Sequence, residues 1–116
     1  EISMKIYHNP RCSKSRQALA ILQDSKVEFE VIEYLKNPPT EQELSEIIAK
    51  LGIAARDLIR QKEEEFKQLG VKQDVLSHDS AITLMANEPK LMERPIVVTD
   101  EKAVIGRPPE KVFDLL

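Results

Sequence analysis

A strand–helix–strand pattern at the start of the chain limits the folds that are open to it. Residues 4–8 contain the β-branched and aromatic pair Ile6-Tyr7, which is typical of a buried strand. Residues 14–23 place apolar side chains on one helical face, and residues 28–34 alternate charged and apolar side chains as a second strand does. Such a unit pairs its two strands in parallel through a right-handed crossover.

The junction between the first strand and the helix holds the only cysteine, Cys12. Arg11, Lys14 and Arg16 flank it, and His8 lies just upstream. For most of an ordinary thiol to be ionised at neutral pH, its thiolate must be stabilised by about 2.7 kcal/mol. A helix N-terminus contributes about 0.3–1 kcal/mol of this. We therefore expect neighbouring cations to supply the remainder, and Cys12 to be a reactive thiolate rather than a small buried apolar residue.

The middle of the chain carries helical patterns. Thr40 and Glu43 fit a capping box behind a pair of prolines. Apolar residues then recur at helical spacing as far as Leu51, and Gly52 suits the position that ends a helix. The remaining patterns predict a shorter helix over 54–61, a solvated charged face without a special role over 62–65, a turn over 66–69 and a helix over 78–87.

The last part of the chain predicts a hairpin followed by a helix. Residues 95–98 and 103–105 are β-branched runs separated by a short polar turn, and two such strands pair antiparallel. Pro109 suits the first position of a closing helix, whose apolar stripe would consist of Val112, Leu115 and Leu116.

The elements therefore follow the order βαβ, helices, ββα, with a nucleophilic cysteine after the first strand. This order predicts an α/β protein of the thioredoxin/glutaredoxin-like fold, with a four-stranded mixed sheet. A chain of 116 residues has the size of one domain. We expect its core at about residues 4–39 and 89–116, and a helical insertion over about 40–88.

Composition argues against several classes of function. A single cysteine allows no internal disulfide and fits a reducing compartment, so a cytoplasmic location is expected. Residues 1–3 are too few and too polar for a signal peptide, and no apolar run approaches the roughly 18–20 residues that span a bilayer. The net charge of -3 disfavours nucleic-acid binding, and the histidines and the cysteine lack the spacing of a metal site.

Five short segments spread over the whole chain carry a family resemblance. They are His8-Asn9-Pro10-x-Cys12 with Ser15-Arg16, Tyr34-Leu35-x-Asn37-Pro38-Pro39, Arg60, Arg94-Pro95-Ile96-Val97-Val98 and Arg107-Pro108. In this order they resemble the glutaredoxin-linked arsenate reductase family, also called ArsC-like. The arsenate reductases have Gly-Thr after the cysteine where this chain has Ser13-Lys14, so the sequence is closest to a branch with Ser-Lys there.

The resemblance implies a set of site residues. The implied roles are nucleophile for Cys12, oxyanion binding for Arg60, Arg94 and Arg107, and support for His8, Ser15, Arg16 and Pro95. The bond before Pro95 would be cis, an isomer that only about 5–6% of X–Pro bonds adopt. Two interpretations of His8 stay open. It is either a loop histidine whose hydrogen bonds are satisfied by backbone contacts or a residue that tunes the ionisation of the Cys12 thiol.

The implied reaction is reduction of arsenate, or of a similar oxyanion, to arsenite through an adduct on Cys12. Because the chain has no second cysteine, an external thiol must resolve that adduct. The resemblance implies glutathione as co-substrate and glutaredoxin as partner, with no bound cofactor. We expect a monomer that binds neither nucleic acid nor membrane.

Two other functions stay open at this point. Cys12-Ser13-Lys14-Ser15 is a Cys-x-x-Ser pattern like that of monothiol glutaredoxins, which predicts activity on glutathionylated disulfides without an oxyanion. The chain also resembles the Spx regulators, which share the fold and contact RNA polymerase. Those regulators carry a Cys-x-x-Cys redox switch, and Ser15 replaces its second cysteine here.

Overall fold

The computed structural model describes residues 4–60, 62–70 and 72–116. Two predictions fall on residues outside this description. They are the argument against a signal peptide in residues 1–3 and the end of the helix predicted over 54–61, at residue 61. The strands are β1 (Lys5–His8), β2 (Glu30–Glu33), β3 (Ile96–Val98) and β4 (Ala103–Ile105). The α-helices are α1 (Ser13–Asp24), α2 (Glu41–Leu51), α3 (Glu64–Gln68) and α4 (His78–Asn87). Short 3₁₀ helices cover Ala55–Leu58, Gln73–Val75, Pro89–Leu91 and Pro109–Leu115.

Within the described residues, the strands form a four-stranded sheet in the order β2-β1-β3-β4. β1 pairs in parallel with β2 and antiparallel with β3, and β3 pairs antiparallel with β4. The parallel pair needs a crossover, which α1 supplies, whereas a short turn is enough to join β3 and β4. The predicted mixed sheet and the βαβ start are confirmed.

The described chain divides into two compact units. The first contains the residues up to Asn37 together with Arg94–Leu116, and therefore the sheet, α1 and the last 3₁₀ helix. Fully buried apolar side chains join β1, α1, β3 and the last 3₁₀ helix of this unit: Ile6, Ala18, Leu22, Val97 and Val112.

The second unit is Pro38–Glu93. In it, α4 packs against α2 and against the 3₁₀ helices Ala55–Leu58 and Pro89–Leu91. The apolar faces predicted for these helices are buried, including Leu44, Ile48, Leu58, Ile82 and Met85. The predicted helical insertion falls inside this unit.

The start and the end of α2 follow directly from its sequence. The Thr40 hydroxyl accepts a hydrogen bond from the Glu43 N–H at 3.1 Å, and the Glu43 carboxylate accepts one from the Thr40 N–H at 3.0 Å. The predicted capping box is therefore confirmed. Gly52 ends the helix with a φ of 69°, a left-handed conformation that costs glycine little because it has no Cβ.

The helix predicted over 54–61 is wrong in its extent. Of the described residues in this range, only Ala55–Leu58 is helical, as a 3₁₀ turn, and the backbone is extended at Ile59. Ile59 forms an antiparallel bridge with Met92. The flanking N–H of Arg60 donates to the Leu91 carbonyl at 2.7 Å. These tertiary hydrogen bonds satisfy backbone groups that a longer helix would have bonded locally.

The strand predicted over 28–34 is shorter in the structure. β2 lies at an edge of the sheet, and its partner β1 offers four residues, from Lys5 opposite Glu30 to His8 opposite Glu33. The length of the pairing is therefore set by β1. The closing helix is also different, because Pro109–Leu115 is a 3₁₀ helix and Leu116 is exposed rather than part of an apolar stripe.

The charged tract 62–65 is not simply a solvated face. Glu63 pairs with Arg60, and Glu65 pairs with Lys90 at 2.8 Å. Two of its residues, Glu64 and Glu65, also begin α3, which extends into the turn predicted over 66–69. Runs of charge in sequence do not reveal which members have a partner from a distant segment.

In the part of the chain that the structure describes, no helix combines the length and the apolar character needed to cross a membrane.

Replacing Thr40 by alanine tests the capping box. Thr40→Ala is expected to lower the free energy of unfolding by about 1 kcal/mol, because the Glu43 N–H loses its acceptor. Urea denaturation followed by far-UV circular dichroism measures the change. Thr40→Ser keeps the hydroxyl and should retain most of the stability, so equal losses in both variants would contradict the capping role.

Candidate active site

The sheet brings three loops of the first unit to one edge, here the edge formed by the ends of its strands. β1 ends at His8 and continues into the loop that holds Cys12. Because β3 is antiparallel to β1, β3 begins at this edge, and β4, antiparallel to β3, ends there. Arg94 lies just before β3 and Arg107 just after β4. The topology therefore carries both arginines to the edge where the cysteine loop leaves the sheet.

Cys12 is the N-cap residue of α1. Its backbone is extended, with φ -97° and ψ 122°, and its side chain makes no capping hydrogen bond to the helix. The first N–H groups of a helix have no acceptor within the helix and give its start a partial positive charge. Cys12 is 8% exposed, so the residue that precedes these donors is mostly buried.

The cation that contacts the sulfur is Arg107, which lies 95 positions further along the chain. Its Nη1 is 3.9 Å from Cys12 Sγ, and the same nitrogen donates to the Arg94 carbonyl at 3.3 Å. Arg11 and Arg16, which flank the cysteine in sequence, are exposed. The contact places a positive charge and further N–H donors beside the sulfur.

Two peptide bonds at this edge are cis. The Arg94–Pro95 bond is cis, as the resemblance implied, and so is the Arg107–Pro108 bond, which no sequence argument predicted. The Gly106 N–H donates to the Pro95 carbonyl at 2.9 Å and extends the β3–β4 pairing by one step. A Cβ on Gly106 would lie 2.9 Å from Pro95 Cγ, so only glycine allows the chain to pass the proline ring so closely.

The cysteine loop is held by its own hydrogen bonds. The Asn9 side chain accepts from the Arg11 N–H at 3.0 Å, and the Asn9 carbonyl accepts from the Cys12 N–H at 3.0 Å. Arg16 donates from Nη1 to the Pro10 carbonyl at 2.8 Å. Asn9 and Arg16 thus fix the path of the loop between β1 and α1, and Arg16 supports the site through the backbone.

His8 and Ser15 form a buried polar contact behind this loop. His8 Nδ1 lies 2.6 Å from Ser15 Oγ, and the Ser15 oxygen also accepts from the Asn9 N–H at 3.0 Å. Burial lowers the pKa of His8 below its ordinary value of 6.5, Glu33 opposes the shift, and Arg16 adds to it. The imidazole is therefore neutral near pH 7, and it orders the loop without adding a net charge.

Arg60 lies in the second unit, where two carboxylates contact its guanidinium. Nη1 donates to Glu63, and Nε is 3.6 Å from Glu93 Oε1. Both partners belong to the same unit. The oxyanion role that the resemblance implies for Arg60 stays a prediction.

Two residues that matter to this geometry were missed by the sequence analysis. Gly106 carries a signal that was available, since a glycine directly between a strand and an Arg-Pro pair suggests a close backbone approach. Asn9 also had a signal, because asparagine side chains commonly hydrogen-bond to the backbone two residues on. Glu93, a partner of Arg60, had no such signal, because it is distant in sequence, whereas Glu63 lies only three positions from Arg60.

The lowered pKa of His8 predicts a loss of stability in mild acid. His8 binds a proton more tightly in the unfolded chain than in the folded one. Its contribution to the free energy of unfolding is therefore fully present above pH 6.5 and is lost as the pH drops through the folded-state pKa. His8→Asn should weaken this dependence, as measured by urea denaturation at about pH 7.5 and about pH 5.5. His78→Gln removes the exposed histidine of α4 as a control. An unchanged pH dependence in His8→Asn would refute the assignment.

Gly106→Ala tests the close approach of the two chain segments. The new methyl group would meet Pro95 Cγ, and the ring cannot move without its backbone, whose carbonyl binds the Gly106 N–H. We expect the free energy of unfolding to fall by about 1–3 kcal/mol. Chemical denaturation measures this loss, and a variant as stable as the unmodified protein would show that the loop accommodates a Cβ.

Comparison with known proteins agrees with the motifs. Residues 7–115 match the model of the ArsC family. The chain is 49% identical to the uncharacterized protein YfgD of Escherichia coli K12, over 97% of this chain and 96% of YfgD. It is 46% identical to an arsenate reductase of Neisseria meningitidis serogroup A, over 97% of both chains.

Solved structures agree with the fold. An arsenate reductase from Vibrio cholerae aligns with a TM-score of 0.92 at 45% identity, over 99% of this chain and 98% of that one. The predicted fold class, an α/β protein of the thioredoxin-like fold with a four-stranded mixed sheet, is confirmed. With a family match over nearly the whole chain and close relatives of the same length, the chain belongs to the ArsC family.

Proposed function

We propose that this protein reduces arsenate to arsenite by thiol chemistry centred on Cys12. The observation that carries the proposal is the contact of 3.9 Å between Cys12 Sγ and the Arg107 guanidinium at the start of α1. A nucleophile beside a fixed cation and unpaired N–H donors suits attack on a tetrahedral oxyanion. The names of the relatives, which include arsenate reductases, point to arsenate.

The first step joins the sulfur to the substrate. The Cys12 thiolate attacks arsenic, an S–As bond forms, and one oxygen leaves as water after protonation. Negative charge on the remaining oxygens is balanced by Arg107 and Arg94, and by the N–H groups at the start of α1. A hydrogen bond from a charged donor contributes about 1.5–3 kcal/mol, so the loss of one arginine is a substantial fraction of the binding energy.

Two external thiols complete the reaction. They donate two electrons to arsenic, which falls from the +5 to the +3 state, and they leave as a disulfide while Cys12 regains its thiol. The sum is arsenate plus two thiols giving arsenite, a disulfide and water. Since Cys12 is the only cysteine, the chain cannot supply these electrons. We propose glutathione as the co-substrate, glutaredoxin as the protein that recycles it, no bound cofactor and a reducing cytoplasmic setting.

The remaining residues of the resemblance have supporting roles in this proposal. Arg60 is the third arginine to bind the oxyanion. His8, Ser15 and Arg16 keep the cysteine loop in place through the contacts described above, and Pro95 fixes the segment that presents Arg94. The branch-specific pair Ser13-Lys14 starts α1 and retains its backbone donors, with the half-buried Lys14 adding positive charge.

Replacing Cys12 by serine tests the proposal. Cys12→Ser is expected to abolish arsenite production in an assay with arsenate, glutathione and glutaredoxin, because a hydroxyl is a far weaker nucleophile than a thiolate at neutral pH. Mass spectrometry of the unmodified protein during turnover should detect an adduct, which can form on sulfur at Cys12 alone. Arsenite production by Cys12→Ser would refute the mechanism.

The same preparation separates the proposal from glutaredoxin-like activity. The assay replaces arsenate with a glutathionylated disulfide and contains no oxyanion. Turnover of arsenate without turnover of the disulfide supports the proposal, and the opposite pattern would reassign the protein to the monothiol oxidoreductases.

A further inference from the structure

The guanidinium of Arg60 already binds anions that belong to the protein. Nη1 donates to a carboxylate oxygen of Glu63, and Nε lies 3.6 Å from Glu93 Oε1. The side chains of Arg60, Glu63 and Glu93 are 22%, 17% and 30% exposed. All three are partly shielded from solvent, so these charges interact more strongly than charges on an open surface.

The two carboxylates occupy both binding edges of the guanidinium. An oxyanion can bind an arginine in a bidentate manner through Nη1 and Nη2, or through Nε and Nη2. Glu63 contacts a nitrogen of the first edge, and Glu93 contacts a nitrogen of the second. An oxyanion that makes two hydrogen bonds to Arg60 therefore competes with Glu63 at one edge and meets the Glu93 carboxylate, at ion-pair distance, at the other.

The charges around Arg60 also oppose an incoming anion. Lys90 is the nearby second cation, but it pairs with Glu65 at 2.8 Å. Three carboxylates thus face two cations, and the cluster carries one net negative charge. An oxyanion that approaches Arg60 is therefore repelled by these carboxylates as well as attracted by the guanidinium.

We propose that Glu63, assisted by Glu93, competes with the oxyanion for Arg60 and so sets the affinity of this guanidinium for anions. The proposal rests on the proposed function for the role of Arg60 as an oxyanion ligand. Glu63 lowers the affinity for every anion at this guanidinium, because an anion binds there only by displacing or sharing its carboxylate. The carboxylate occupies the guanidinium until such an anion binds.

Glu63→Gln tests the proposal because it removes the charge and keeps the shape. The expected result is that inorganic phosphate, a tetrahedral dianion that leaves arsenic chemistry out, binds about threefold to fivefold more tightly in calorimetry. The KM for arsenate should fall by a similar factor while kcat changes little. Glu93→Gln should have a smaller effect in the same direction, because its contact is longer.

Two further variants give the experiment its specificity. Glu64→Gln makes the same charge change at an exposed position of α3 and should leave phosphate affinity as it is. In an Arg60→Ala background, Glu63→Gln should no longer tighten phosphate binding. Weaker or unchanged phosphate binding in Glu63→Gln, or equal tightening with and without Arg60, would overturn the proposal.

The same measurements separate this inference from the proposed function. If the unmodified protein makes no arsenite, but Glu63→Gln still tightens phosphate through Arg60, the competition stands and arsenate reduction does not. If arsenite is made, but Glu63→Gln raises the KM, then Glu63 positions Arg60 for binding and the competition is wrong.

Discussion

The antiparallel pairing of β1 with β3 is the interaction on which the candidate site depends. It places the start of β3 beside the end of β1, with Tyr7 opposite Ile96. The hairpin partner β4 then ends at the same edge. The contact of Arg107 with Cys12 follows from this register, because a shift of one residue would turn every side chain of the strand to the other face. The chemistry at the sulfur is therefore a consequence of strand pairing.

Positive charge reaches the sulfur from the hairpin rather than from the cysteine loop. His8 is neutral near pH 7 because burial lowers its pKa, and its contact with Ser15 ties β1 to α1. Arg16 is bound to the Pro10 carbonyl. Arg107 is positioned by the approach of Gly106 to Pro95, which leaves no space for a Cβ. The close approach of Gly106 to Pro95, which involves no reactive group, thus helps to set the position of the Arg107 guanidinium.

The second unit shows a different use of charge. Arg60, Lys90 and their carboxylate partners largely neutralise one another within Pro38–Glu93. Ion pairs of this kind contribute modestly to stability, because the charges lose hydration when they pair. In the competition that we propose, the same carboxylates also lower the affinity of Arg60 for anions.

The sequence by itself determined the features that depend on neighbouring residues. The capping box at Thr40, the left-handed Gly52, the hairpin and the position of Cys12 at the start of α1 were all predicted from residues within a few positions of one another. The motifs also indicated the family and the cis bond before Pro95. Local hydrogen bonds and side-chain spacing carry this information, because they act over a single turn of chain.

Only the tertiary structure decided which charges meet. Arg107 and Cys12 are 95 positions apart, and nothing in the composition of either loop indicates the other. The same holds for Arg60 with Glu93 and for Ile59 with Met92, whose bridge ended a helix that the local pattern predicted. Contacts between distant segments depend on strand register and on how the helices pack, and these arise from the whole folded chain rather than from any one stretch of sequence.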